Sequence, residues 1–335
     1  MEWVICMNVC MVTTHQNFGI FSDSMIAANT QLGNNTDMFK LDYSKSAQEE
    51  RKRLLTVIED KKIDVVLFLN DFRFPDKTFF IDETIAEKID CRLWVWDTMH
   101  EMSDLGAHIH LYSQIYSFEI NDIIQLEKYY SVRGTYLPLF AGPSFYASPR
   151  TSEDRQDIDI FFIGTIAGIP KRLDILETVA KLACEKNYNM LVLGRIWHSH
   201  HWYQRLIGKL KFKHKYPYLS KFVKNKVLAP HDVIKYYKRS KINLNIHLDG
   251  HTCYNCRTFE IMGNDNFVLS DRRNKCDLEL EERRHFDCYE DNRELIDKIQ
   301  YYLEHEYERN EIAKAGGAIV RGKYNLVSSL KYIFL

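Results

Sequence analysis

Runs of β-forming apolar residues alternate with stretches of helical period, and they do so twice along the chain, which is the βαβ signature of parallel sheets. In the first half a strand at 3–12 is followed by a helix near 22–32, a strand at 39–41, a helix over 47–61 and a strand at 63–69. The run Asp64-Val65-Val66-Leu67-Phe68-Leu69 is almost continuous hydrocarbon, as expected of a strand covered by helices on both faces. Further strands are expected at 93–96, 112–118 and 136–139. Between Phe140 and Asp157 the rhythm stops and prolines, serines and charges take over, a linker pattern. It then restarts, with strands at 158–164, 190–194, 227–228, 241–247 and 266–270 and helices over 172–186, 232–239, 257–262 and 292–305. We therefore expect an α/β protein with two Rossmann-like domains facing a central cleft. The boundaries are 1–142, a linker at 143–156, 157–318, and a C-terminal helix at 319–335 that packs back on the first domain.

The length of 335 residues suits this division, because single hydrophobic cores stop growing at about 250–300 residues. Gly and Pro are scarce, at 14 and 7, and 45% of residues are hydrophobic, which excludes a disordered or fibrous chain. Eight cysteines in so long a chain are too sparse for a disulfide scaffold and fit a reducing, cytoplasmic setting. The apolar start carries Glu2 where a signal peptide has positive charge, so it reads as a first strand. No apolar run approaches the length of a bilayer span, which leaves a soluble protein able to sit on the inner face of a membrane.

Two strand–loop–helix segments carry candidate chemistry. In the first, Gly164-Thr165-Ile166-Ala167-Gly168-Ile169-Pro170-Lys171-Arg172, unpaired N–H groups at a helix start favour an anion and two bases add charge. The sequence is neither G-x-G-x-x-G nor a Walker A loop; it is equally an ordinary turn with two solvated bases. The second runs from Asn243 to Asp249 and on through Asn255, Arg257 and Glu260 to Gly263. There Asn255 and Arg257 at a helix start can meet a diphosphate, and Glu260 can accept from sugar hydroxyls. Alternatively Glu260 is a first-turn carboxylate favoured by the helix dipole, with Arg257 its surface partner.

After the strand at 93–96, Asp97, His100, Glu101 and Asp104 bunch together, residues able to take a proton from an acceptor hydroxyl. Asp97 and His100 are the candidates for a catalytic base, the alternative being helix capping by Asp97. Asn17-Phe18-Gly19 is a candidate acceptor or phosphate loop. Cys253-Tyr254-Asn255-Cys256 with His247 and His251 lacks the second pair of a zinc site, so no metal is expected. The pair Asp157 and Asp159 opens a strand, where a metal-binding pair would close one.

The net charge of −1 hides an asymmetry, since from Lys186 to His231 there is no acidic residue and there are ten Lys or Arg. This basic insertion, 195–226, has Trp202, Leu206 and Leu210 at helical spacing, a pattern of surface-lying amphipathic helices. An anionic membrane surface, an acidic polysaccharide or nucleotide, and a plain solvated insertion are the three readings. The balanced total argues against nucleic acid.

The order of Phe162-Ile163-Gly164, Lys171-Arg172, Lys241 to Ile246, Asn255-x-Arg257-Thr258-Phe259-Glu260-Ile261, Phe267 to Asp271, Tyr289-x-Asp291 and a Leu295-x-x-Lys298-Ile299 helix resembles the CgeB-like glycosyltransferases. These belong to glycosyl transferases group 1, of GT-B fold. The resemblance implies metal-independent hexosyl transfer from a nucleotide sugar to a glycan or lipid-linked acceptor in cell-surface polysaccharide or glycoconjugate synthesis, with no cofactor beyond the nucleotide-sugar substrate. It makes 157–318 the donor domain and 1–142 the acceptor domain, with Gly164, Thr165, Lys171, Arg172, Asn255, Arg257 and Glu260 on the donor. Where many relatives carry a second Glu eight positions before the helix Glu, this chain has Thr252. A nucleotide-sugar epimerase or hydrolase of the same fold, and a non-catalytic nucleotide- or glycan-binding protein, are the rival readings.

Overall fold

The computed structural model describes residues 6–14, 19–97, 99, 107–196, 202–273, 276 and 278–334. The chain divides into two units, Met1–Gly142 with Asn325–Leu335, and Pro143–Tyr324.

The first unit runs β1 (Asn8–Thr14), α1 (Gly19–Gln31), β2 (Asn35–Leu41), α2 (Ala47–Lys61), β3 (Val65–Leu69), α3 (Glu83–Ala86), β4 (Asp90–Val95), β5 (Gln114–Ser117), α4 (Ile120–Tyr130) and β6 (Gly134–Tyr136). Its strands pair in parallel in the order β2-β1-β3-β4-β5-β6. Successive side chains of a strand point to opposite faces, and β3 shows the result. Val66 and Phe68 join one core with Leu54 and Ile58 of α2, while Val65, Leu67 and Leu69 join another with Met25 and Ala28 of α1. Both faces are covered, which is why the run at 64–69 reads as continuous hydrocarbon. α2 starts where Ser46 and Glu49 form a reciprocal capping box and ends on Lys62 in the left-handed conformation.

The second unit runs β7 (Ile158–Ile163), α5 (Pro170–Lys186), β8 (Met190–Gly194), α6 (Trp202–Lys215), β9 (Val223–Asn225), α7 (Pro230–Arg239), β10 (Ser240–Asn245), α8 (Cys256–Gly263), β11 (Val268–Asp271), β12 (Asp287–Tyr289), α9 (Asn292–Glu304) and α10 (Glu306–Gly322). The parallel order is β12-β11-β10-β7-β8-β9. Winding reverses between β7 and β10, and ligands of open α/β sheets bind beyond the carboxyl ends of the strands at such a reversal. A last helix, α11 (Leu326–Phe334), belongs to the first unit, where Leu326, Leu330 and Ile333 are buried beside α1.

Several elements differ from the sequence reading. The strand expected at 227–228 lies at Val223–Asn225, where it pairs with β8, and Val227 is exposed. The stretch at 143–156 is packed, with Phe145 buried, the Arg150 N–H donating to Asn264 O at 2.9 Å and its Nη2 to Asn310 Oδ1 at 2.8 Å. The strand β12 and the helices α3, α4 and α10 were not anticipated.

Candidate active site

The carboxyl ends of β7 and β8 meet at two glycines. Gly194 has φ +141°, and a Cβ there would stand 1.9 Å from Gly164 O, a spacing no side chain tolerates, so only glycine lets the strand ends close on each other. The loop after β7 is laced to the loop after β8: Arg195 O accepts from Ile166 N and Ala167 N at 2.9 and 3.0 Å, and Gly164 N donates to Leu193 O. With Ile169 N donating to Ile166 O, four of the N–H groups that the sequence offers to a phosphate are therefore engaged within the fold.

Over these strand ends lies a cavity of about 240 Å³, walled by Gly164, Thr165, Gly194, Arg195, Arg257 and Glu260, with Phe145, Val227, Leu228, Val233 and Tyr237 among its apolar and aromatic sides. Arg257 and Glu260 sit in the first two turns of α8, at i and i+3, hence on one face. A Cβ on Gly164 would stand 3.6 Å from Arg257 Nη2, so the guanidinium lies along the glycine backbone. Among the described residues Arg257 has no ion pair. Burial raises the Glu260 carboxyl above its ordinary range and Arg257 draws it back down. The Tyr237 phenol is pushed up by burial and by Glu260, and Arg257 opposes this; the three groups share one field.

The start of α8 is held by a buried relay. His247, wholly inaccessible, donates from Nδ1 to Asp271 Oδ1 at 2.6 Å and accepts at Nε2 from the Asn255 N–H at 3.1 Å. That second bond requires a bare nitrogen, and burial lowers the His247 pKa to about 4, so the ring is neutral. Asp271, despite burial, is held well below the carboxylate range by its bonds from His247, Arg273 and Lys171. The Asn255 side chain accepts from Asn245 Nδ2 at 3.0 Å, so it too faces the fold.

Gly164, Thr165, Arg257 and Glu260 thus come together around the cavity, and Lys171, Arg172 and Asn255 stand behind it. Lys171 Nζ meets Asp271 Oδ2 at 2.8 Å and Asp249 at 3.7 Å. Adjacent Arg172 turns inward, bonding Ile246 O and Thr165 O, each at 2.8 Å, and so ties the end of β10 to the loop after β7. Burial and the nearby Arg257 charge lower its pKa to about 10, which leaves it a cation at neutral pH. Arg195, Tyr237 and Val227 were not singled out for this site by sequence. The one signal for Arg195 was its place directly after a strand-ending glycine.

In the first unit, Asn70, at φ 75°, accepts at Oδ1 from Trp96 N at 2.7 Å and extends Nδ2 toward Asp97 Oδ2 at 3.5 Å. Asp97 is exposed at the carboxyl end of β4. His100, Glu101, Asp104 and Asn17 lie outside the described residues, and Gly19 opens α1. The strand-entry pair is engaged, Asp157 with Arg239 and Asp159 with Lys241.

Two parallel six-stranded sheets with helices on both faces match glycosyltransferase structures of the GT-B class along nearly the whole chain. Sucrose-phosphate synthase of Thermosynechococcus elongatus aligns with a TM-score of 0.67 at 10% identity, over 98% of both chains. A glycosyltransferase of Rickettsia africae aligns at 0.69 and 12%, over 98% of this chain and 97% of that one. HepE of Anabaena, solved with UDP-glucose, aligns at 0.64 and 11%, over 98% of both. At these identities the likeness is one of fold. In sequence, residues 172–334 match the family model described as Glycosyl transferase-like. No curated protein matches the chain.

Proposed function

We propose that the chain is a glycosyltransferase that binds a nucleotide-diphosphate sugar at the cavity of its second unit and transfers the sugar to a hydroxyl of a glycan or lipid-linked acceptor, in cell-surface polysaccharide or glycoconjugate synthesis. Within its class we place it beside the CgeB-like enzymes, and in the cytoplasm, a reducing setting that suits eight cysteines scattered through 335 residues. The observation that carries the reading is the convergence of two glycine strand ends with Arg257 and Glu260 of one helix at the point where the sheet order reverses. HepE, solved with UDP and with UDP-glucose, supports a uridine nucleotide as the first candidate. A cavity of about 240 Å³ falls below the roughly 300–1,000 Å³ of complete ligand pockets, so it holds part of the donor.

In transfer, the acceptor oxygen bonds to the anomeric carbon as the bond from that carbon to the diphosphate breaks. The hydroxyl proton passes to a base, for which Asp97 is the candidate, with His100 the second. Negative charge grows on the leaving diphosphate, where Arg257 and the first N–H groups of α8 stabilise it. Gly164 and Thr165 bound the phosphates, and Glu260 accepts from sugar or ribose hydroxyls. Lys171 reaches a phosphate only by leaving Asp271, and Arg172 acts through its field, so both take secondary parts. Positive side chains at the diphosphate are the basis for proposing hexosyl transfer without a metal or other cofactor.

The test is a thermal-shift screen across nucleoside diphosphates and nucleotide sugars, since a ligand that binds only the folded state raises its melting temperature, followed by product analysis. A rise with one nucleotide and sugar transfer to an added acceptor are expected. Release of free or isomerised sugar without acceptor points to the hydrolase or epimerase, and binding without any turnover to a non-catalytic protein.

A further inference from the structure

The segment between β8 and α7 has no acidic residue, and the structure shows how its bases are arranged. Phe212 of α6 packs against the core and Tyr216, the residue just after the helix, is buried in it, their rings 5.3 Å apart. That fixes the inner face of the helix. The outer face carries Ile207, Leu210, Lys211 and His214 at i, i+3, i+4 and i+7. Ile207 and Leu210 are 49% and 60% exposed, and Val227, just beyond β9, is 68% exposed. On the same helix Lys209, Lys211, Lys213 and Lys215 are exposed, as are Lys224 and Lys226 in and just after β9, and none has an ion pair among the described residues. β9 is the outer strand of its sheet. Lysine on an edge strand commonly blocks strand-to-strand association; that accounts for Lys224, but not for two exposed aliphatic residues set among lysines on a neighbouring helix.

We propose that the outer face of α6 and the adjoining β9 edge form a docking surface for an anionic lipid bilayer. Lysines alone suit any polyanion. Exposed aliphatic side chains in their midst suit a surface that is anionic outside and hydrocarbon a few ångströms in, where a helix lies in the interface plane with its apolar residues buried. No helix among the described residues is long and apolar enough to cross a membrane; the contact proposed here lies along the bilayer surface. Val227 is both part of this surface and part of the cavity wall. Docking therefore brings the mouth of the donor cavity to the lipid headgroups, which selects a lipid-linked acceptor from the classes proposed above. That last step rests on the glycosyltransferase reading; the docking itself does not.

The full chain is sedimented with vesicles of phosphatidylcholine alone and of phosphatidylcholine with phosphatidylglycerol, at low and high salt, and UDP affinity is measured separately. Binding is expected to the anionic vesicles and to fall with salt. Each lysine near such a surface is worth about fivefold in partitioning, so Lys209→Gln, Lys211→Gln, Lys213→Gln and Lys215→Gln together should weaken binding by two orders of magnitude or more. Ile207→Ser with Leu210→Ser should weaken it at both salt concentrations. Equal binding to the two vesicle types, or no loss in the quadruple variant, overturns the proposal. So does a soluble acidic polysaccharide that binds the wild type and the Ile207→Ser, Leu210→Ser variant alike while the vesicles do not bind; the surface would then serve a polyanion. None of these side chains lies in the donor site, so UDP affinity should stay constant throughout. Vesicle binding by a chain that binds none of the nucleoside diphosphates or nucleotide sugars would refute the donor reading and leave the docking surface standing.

Discussion

Replacing Arg257 by Ala tests the proposed diphosphate site at its centre. In the unliganded protein the guanidinium has no ion pair among the described residues, lies along Gly164, and is close enough to Arg172 to lower that residue's pKa. Two effects of opposite sign follow. Removing Arg257 relieves its repulsion with Arg172 and at the same time takes from the buried Glu260 the cation that draws its carboxyl down; the two offset, so the apo protein should melt at nearly its wild-type temperature. Bound diphosphate, however, loses a charge-assisted bond worth about 1.5–3 kcal/mol. Because Arg172 and Lys171 remain behind the cavity, we expect a loss near the middle of this range, about 2 kcal/mol, which is roughly 30-fold in Kd. Calorimetric titration with UDP and with uridine, which lacks the phosphates, separates charge from shape. UDP should weaken about 30-fold and uridine hardly at all, while Arg257→Lys, which keeps the charge but loses the planar fork, should fall between. If UDP binds the Ala variant as tightly as the wild type, or if uridine weakens in parallel, Arg257 does not hold the diphosphate.

Gly194→Ala drives a Cβ into Gly164 O and imposes a side chain at φ +141°, so it should destabilise the second unit by about 2–3 kcal/mol or more and abolish UDP binding. Gly168→Ala, at φ +75° but in open space, should cost only about 1 kcal/mol and leave binding intact; equal behaviour of the two in thermal melts and UDP titrations would refute the close-approach account. The neutral His247 gives a signed pH dependence. Its folded pKa, about 4, lies below the unfolded value of about 6.5, so its contribution is complete above the unfolded pKa. It is lost as pH falls from there toward the folded one, by about 2 kcal/mol between pH 7 and pH 5. His247→Gln should flatten the slope of stability in urea titrations over that interval, and an unchanged slope would count against a neutral, buried ring.

How much of this was legible beforehand depended on whether neighbours in space were also neighbours in sequence. β3 was plain because both of its faces are buried, and the polar density from Asn243 to Gly263 flagged α8 because a core strand carries so few such groups without a reason. β12 was not, since Asp287 in a three-residue strand looks like surface until Lys298 and Tyr302 are seen to bond its carboxylate. α10 was missed because it begins one residue after α9 and contains Gly316-Gly317, which reads as a break. In the fold these glycines are a contact surface, a Cβ on Gly316 standing 2.2 Å from His285 O. Lys171 and Arg172 looked equivalent. Which of two adjacent bases turns under the sheet depends on the carbonyl at the end of β10, 74 residues away. Arg195 and Tyr237 reach the cavity only through the sheet order, which no local pattern encodes.

The return of α11 to the first unit bears on how the chain is made. The second unit is a contiguous insert, Pro143–Tyr324, while the first is closed by residues from both sides of it. During synthesis the insert has all its strands and helices once Tyr324 has left the ribosome. The first unit must wait for α11, whose Leu326 and Leu330 are wholly inaccessible in its core and whose Ile333 carbonyl accepts from Arg92. Until then the β1–β6 sheet has one face partly uncovered. The half completed last is the half begun first, so the apolar face beside α1 is the surface a nascent chain has to keep shielded longest.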